Sequence, residues 1–302
     1  MAAGGFRRTG GDSVPTPMSY ENPPVPHEVN VSRERPLAGF LRLAAGLAII
    51  LALAVAVLGA TGGWLARQLP FRAEVALAGA GVPGLESLAG EHAAPAPAAI
   101  HAHVGELAAR LAATMDLPAG MQVQVHAVDA PVANAFATLG GHIVVTRALY
   151  AQMPSENALA FVLAHEIAHL RERDPIAAVG GGAGVALAFA LLGGDAGRLL
   201  PQVARLVTRG YSRAAETRAD DLALAALVAV YGHARDADAA IRALADARPA
   251  STIGAPPTLL STHPADAERI ARLAAAAGEG DVLPWRVAWK PAATSTHDNP
   301  AE

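Results

Sequence analysis

Residues 156–174 read ENALAFVLAHEIAHLRERD, and this stretch decides the fold. Ser155 stands in an N-cap position, and Leu159, Val162, Leu163, Ile167 and Leu170 recur at helical spacing, so the stretch is a helix with a deeply buried face. Pro175 is expected to stop it at or just before its own position. Residues four apart on a helix lie on one face about 6 Å from each other, so the imidazoles of His165 and His169 can reach one metal ion. Glu166 lies one step round from His165, placed to hold a water that such a metal activates. The chain has no cysteine, so any metal site must be built from His, Asp or Glu.

His165-Glu-Ile-Ala-His169 has the H-E-x-x-H spacing of zinc hydrolases. Three fixed residues in five do not decide the matter, because a helix with two incidental histidines has the same spelling. The downstream chain adds weight. Tyr211 to Val230 has a strong helical pattern, with Glu216 and Asp220 four apart on one face. A zinc site with two histidines needs a third protein ligand and leaves its fourth position to water. A ligating histidine also needs its second ring nitrogen held, commonly by a carboxylate. Glu216 suits the first role and Asp220 the second, although isolated acids at this spacing are usually solvated surface charges. After a further helix at 236–247 comes Ser261-Thr-His263-Pro264. A residue before proline sits in an extended or turn segment. Three roles stay open for His263: stabilising an oxyanion in catalysis, capping the zinc as a fourth ligand, or bonding to loop backbone.

Upstream, His101 to Met115 reads as an amphipathic helix and Met121 to Val128 alternates as a strand. Two apolar runs flank Gly140-Gly141, a hairpin signal, since adjacent glycines supply the positive φ of a tight turn. The second run, His142 to Thr146, leads toward the motif helix. Its residues His142, Ile143 and Val144 are expected to form an edge that binds an extended peptide substrate through backbone groups. His101, His103 and His126 read as surface or structural histidines. The fold class that results is mainly α with a small β-sheet (α+β).

Leu43 to Ala66 carries no charge, and its 24 residues would rise roughly 36 Å as a helix, enough to cross a hydrocarbon core of about 30 Å. Arg42 and Arg67 bracket it, and Trp64 sits where an interfacial aromatic belongs. It is longer and starts later than the apolar core of a signal peptide, so it reads as a retained anchor. Arg33, Arg35 and Arg42 against Arg67 and Arg72 lean toward a cytoplasmic N-terminus, with the following domain outside the cytoplasm. The expected organisation is a disordered tail (1–35), a single membrane anchor (36–69), a linker (70–100), a catalytic domain (101–278) and a partly disordered tail (279–302). A second apolar run, 176–194, holds six glycines. One crossing there would put residues beyond 210 on the opposite side from His165, so it reads as a buried or membrane-grazing helix, with a hairpin of two spans as the alternative. The net charge of −4 and the lack of basic runs argue against nucleic acid as a partner.

Together these stretches resemble the membrane-associated zinc metallopeptidases that include HtpX and the CAAX prenyl endopeptidase, in their small, single-anchor bacterial form. The matching pieces are NAFATLGGHIVVTR (134–147), HEIAH (165–169), SRAAETRAD (212–220) and STHP (261–264) followed by ERI, in the family's order. The resemblance implies one Zn2+ per chain on His165, His169 and Glu216, Glu166 as general base, and Asp220 supporting a histidine. It implies hydrolysis of peptide bonds in unfolded or membrane-associated proteins at a lipid bilayer, in an inner membrane, as part of quality control. A membrane-anchored scaffold or chaperone-like adaptor with a latent or structural zinc is the rival reading. Two departures are visible. Leu139 stands where a proline commonly precedes the glycine pair, and one apolar run replaces the two membrane helices that larger members place between the HExxH helix and the glutamate. A prenylated substrate is therefore not expected.

Overall fold

The structure is a computed structural model and describes residues 20–22, 36–81, 94–191, 211–246, 259–264, 266–284 and 287. The expected N-terminal tail lies almost wholly outside the described residues, as does the chain after 287. By contacts the chain divides into two compact units, 1–49 and 50–302. The first holds the N-terminal part of helix α1 (Pro36–Arg67), and the second holds the rest of α1 and the described residues after it.

α1 is long and apolar enough to cross a membrane, and its large side chains, Trp64 among them, are mostly exposed. The expected linker is partly structured. It contains α2 (Phe71–Gly81) and the short strand β1 (Ala94–Pro95). Then follow α3 (Ala98–Ala112), β2 (Gln124–Asp129), β3 (Ala135–Thr138), a tight turn at Leu139–Gly141, β4 (His142–Thr146) and α4 (Arg147–Gln152). The motif helix is α5 (Glu156–Arg171), followed by α6 (Asp174–Leu191), α7 (Arg213–Tyr231), α8 (Ala237–Asp246), α9 (Leu259–Thr262) and α10 (Ala267–Ala276).

The sheet is mixed, with strand order β1-β2-β4-β3. β2 and β4 run parallel, and β3 runs antiparallel to β4 through Gly140 and Gly141, both at positive φ as the hairpin signal requires. This order corrects one expectation. β4 is an interior strand, hydrogen-bonded on both sides, and Ile143 and Val144 are fully buried. Its backbone groups are spent on the ladder, so His142, Ile143 and Val144 do not form a peptide-binding edge. The edge beside the motif helix belongs to β3.

α5 is buried on every side from Glu156 to Leu170, beyond the single face that periodicity implies. β3 covers it on one flank and α3, α7 and α8 on others. Each of Leu159, Leu163 and Ile167 contributes about 1.5–3 kcal/mol by leaving water. Ser155 caps α5 by accepting the Ala158 N–H at 3.1 Å. The C-terminal segment straps this end, with Leu283 O accepting the Glu156 N–H and the Leu283 N–H donating to Asn157 Oδ1.

The other end of α5 closes shortly before Pro175, as expected. The helix closes at Arg171, Arg173 takes φ 59°, and the chain reverses into α6. Pro175 falls in the first turn of α6, where its missing N–H costs nothing. α6 lies antiparallel on the C-terminal half of α1 along two Gly-x-x-x-Gly pairs, Gly59/Gly63 and Gly180/Gly184. A Cβ on Gly62 would strike the Gly180 carbonyl, and one on Gly184 the Leu58 carbonyl. The expectation of a buried or membrane-grazing helix thus falls on a helix docked to α1; residues 192–194 lie outside those described.

Candidate active site and metal centre

α7 reaches α5 through small side chains. Ala215, Ala219, Ala223 and Ala226 are buried on α7, facing a helix that itself carries Ala160, Ala164 and Ala168. The close approach brings the short carboxylates of Glu216 and Asp220 to the histidines. Ser212 starts α7 by accepting the Ala215 N–H at 3.3 Å, which places Glu216 in the first turn.

Four buried residues converge, His165, His169, Glu216 and His263, with one donor atom of each within 4.8 Å of all the others. His165 Nε2 lies 3.1 Å from His169 Nε2 and 3.4 Å from Glu216 Oε2, and His169 Nε2 lies 3.6 Å from Glu216 Oε1. A tetrahedral zinc with bonds of about 2.0–2.1 Å spaces its donors about 3.3 Å apart, so the donor set fits that ion. His263 Nδ1 completes the group, 3.2 Å from His165 Nε2 and 2.9 Å from Glu216 Oε1.

A carboxylate stands beside each outer ring nitrogen, as is usual for metal-binding histidines. Asp220 Oδ1 stands 3.0 Å from His165 Nδ1, and Asp174 Oδ2 stands 2.9 Å from His169 Nδ1. Asp220 thus sits where a supporting acid is expected. Asp174 carries no role in the sequence reading, because it reaches His169 only after the chain reversal at Arg173. Arg269 is a second addition. It donates from Nε and Nη2 to Asp220 at 3.0 and 2.8 Å, and from Nη1 to the carbonyls of His263 and Pro264. The ERI that follows STHP is therefore the clamp on the His263 segment. The Tyr211 ring packs on His169 with centroids 4.2 Å apart.

Glu166 is fully buried, accepts the Ala137 N–H of β3 at 2.8 Å, and faces His263 Nε2 at 3.5 Å. Burial pushes its carboxyl above the usual range, against the pull of His263, His169 and the Ala137 N–H. Burial also opposes ionisation of Glu216, yet its three imidazole partners hold it far below the ordinary carboxylate range, so it is an anionic donor. Burial lowers His263, which favours its neutral, ligating form. For His169, hydrogen bonds to Asp174 and Glu216 outweigh burial and hold the ring up at about 9. Burial drives the Tyr211 phenol well above 10.

The model of Peptidase family M48 matches residues 98–277, well over half of the chain. The chain belongs to peptidase family M48. No curated protein sequence matches it. As an M48 zinc metallopeptidase it carries the HExxH pair and the downstream glutamate intact, with the zinc on His165, His169 and Glu216. M48 membership also makes proteins its substrates. The matched region begins at α3, so α1 and α2 lie outside it.

Proposed function

We propose that this M48 peptidase is anchored in an inner membrane by α1 and hydrolyses internal bonds of unfolded or membrane-associated proteins outside the cytoplasm, in envelope or membrane-protein quality control. The observation that carries the reading is the buried set His165, His169 and Glu216 with Glu166 beside it. The anchor rests on the apolar length of α1, and the side rests on Arg33, Arg35 and Arg42 preceding it. The catalytic domain then comprises residues 101–278. Leu58 lies nine residues, or roughly 13 Å, back along α1 from Arg67. Gly184 packs against Leu58, so α6 descends with α1 to about that depth.

Zinc at this site supplies a Lewis acid that lowers the pKa of bound water toward about 7. Glu166 takes the proton from the attacking water and delivers it to the leaving amine, a role its raised pKa suits. Asp220 and Asp174 hold His165 and His169 in orientation. The Ala137 N–H points out of the β3 edge to Glu166, so by ladder alternation the Ala135 backbone faces the same way, and a substrate strand lies along β3.

His263 gives this arrangement its state. Its Nδ1 stands where a fourth ligand stands, and the ligands and β3 are all buried. We read it as the cap of a closed form that must swing away before substrate enters. The same fourth nitrogen is what a structural zinc would use, and it is the observation that favours the scaffold reading. One experiment separates the two. Full-length protein should cleave unfolded casein in a chelator-sensitive manner, and Glu166→Gln should retain zinc and lose cleavage by about 10²–10⁴-fold. Cleavage undiminished in Glu166→Gln would overturn the reading.

A further inference from the structure

Arg67 is the last residue of α1, and it reaches the zinc site. Its Nη2 donates to Asp174 Oδ1 at 2.7 Å, and its Nε donates to the Glu172 carbonyl at 3.2 Å. The other oxygen of Asp174 holds His169 Nδ1 at 2.9 Å. One buried carboxylate is thus shared between the end of the apolar helix and a zinc ligand. A neighbouring tie runs in parallel. Glu74 of α2, also buried, accepts the Gly140 N–H at 3.0 Å and pairs with Arg173 at 2.8 Å. The segment that leaves α1 is therefore fastened both to the end of α5 and to the neighbouring β3–β4 turn.

We propose that Arg67, thirty-one residues before the matched peptidase region, is a positioning residue of the zinc site, fixing Asp174 so that it holds the His169 ring in its metal-binding orientation. This rests on the zinc site read above. The geometry asks for arginine in particular. A guanidinium presents Nε and Nη2 as a fixed fork, which spans the Glu172 carbonyl and the Asp174 carboxylate at once, whereas an ammonium is a single point of charge. Without the fork, Asp174 loses its cationic partner and is free to turn from His169. Loss of such an outer partner typically weakens metal binding 10–100-fold.

The test measures zinc affinity of the full-length protein in detergent, by competition between Zn2+ and a fluorescent chelator. Arg67→Met should weaken binding 10–100-fold and Arg67→Lys by less, in metal-free protein that circular dichroism shows to be folded. Asp174→Asn should weaken binding, and Arg67→Met/Asp174→Asn should bind no worse than Asp174→Asn alone, because both act through one contact. Wild-type affinity in Arg67→Met, or fully additive losses, would overturn the proposal. Should Arg67→Met fail to fold, Arg67→Lys decides: weaker zinc in folded protein supports the proposal, and wild-type affinity overturns it. Wild-type protein that takes up no zinc would instead remove the site reading itself.

Discussion

His263 Nδ1 lies 2.9 Å from Glu216 Oε1, closer to that zinc-site carboxylate than either histidine of the motif helix. A loop residue therefore stands deeper in the donor set than an oxyanion-stabilising side chain needs to. The cap reading expects His263→Ala to keep its zinc and to cleave casein several-fold faster than the wild type. A loss of kcat of tenfold or more, at unchanged zinc content, would return His263 to a role in the transition state.

Arg269 binds Asp220 through two nitrogens and also ties down the His263 and Pro264 carbonyls. Replacing it by an apolar residue leaves a buried carboxylate with fewer partners and frees the cap. Arg269→Met is expected to lower stability by about 3 kcal/mol, read from urea denaturation, and to expose the chain near 259–264 to limited proteolysis. Equal stability and an unchanged cleavage map would show that Arg272, which also pairs with Asp220, suffices.

The α1–α6 seam has no room for a side chain at Gly62, Gly180 or Gly184, whereas a Cβ on Gly59 would meet only ordinary contacts. Gly59 faces Val185 across it, and the natural chain lacks cysteine. Gly59→Cys/Val185→Cys should therefore form a disulfide under mild oxidation. Adding Gly180→Leu, whose Cβ would run into Ala66 and the Gly62 carbonyl, should cut the yield several-fold. An unaltered yield would mean that the two helices tolerate a wider spacing.

On the far side of the sheet, His126 Nε2 and His142 Nδ1 lie 3.0 Å apart. Burial lowers both rings, and for His126 the charges of His142 and His101 add to it. The unfolded chain then binds more protons than the folded one, so this pair favours folding above pH 6.5, and the benefit fades as pH falls toward the lowered values. The melting temperature of metal-free protein should drop between pH 7 and 5 more steeply in the wild type than in His126→Gln. Parallel curves would rule the pair out as a source of acid sensitivity.

How much of this was legible in the chain depends on what each feature requires. His165, Glu166 and His169 are fixed by helical spacing alone, and Glu216 is legible because a zinc with two histidines demands another ligand. Asp174 is not, because its approach to His169 depends on Arg173 taking a positive φ, a conformation that no local pattern of ordinary residues announces. The alternation of His142 to Thr146 marks a strand but carries no information on whether the strand is interior. That follows from its parallel pairing with β2, a contact between distant segments. Arg67 reads only as a charge bracketing the apolar run, since its partners lie about a hundred residues further on.

Only Gln68 to Pro70 separate α1 from α2, and both helices are fastened to the catalytic body. A protease on a floppy stalk would patrol a volume; one fastened to its proposed anchor in this way would work at a set height. With α1 seated in lipid, the cleft would act as a ruler, cutting chains that emerge at that distance from the bilayer and passing over those displayed farther out.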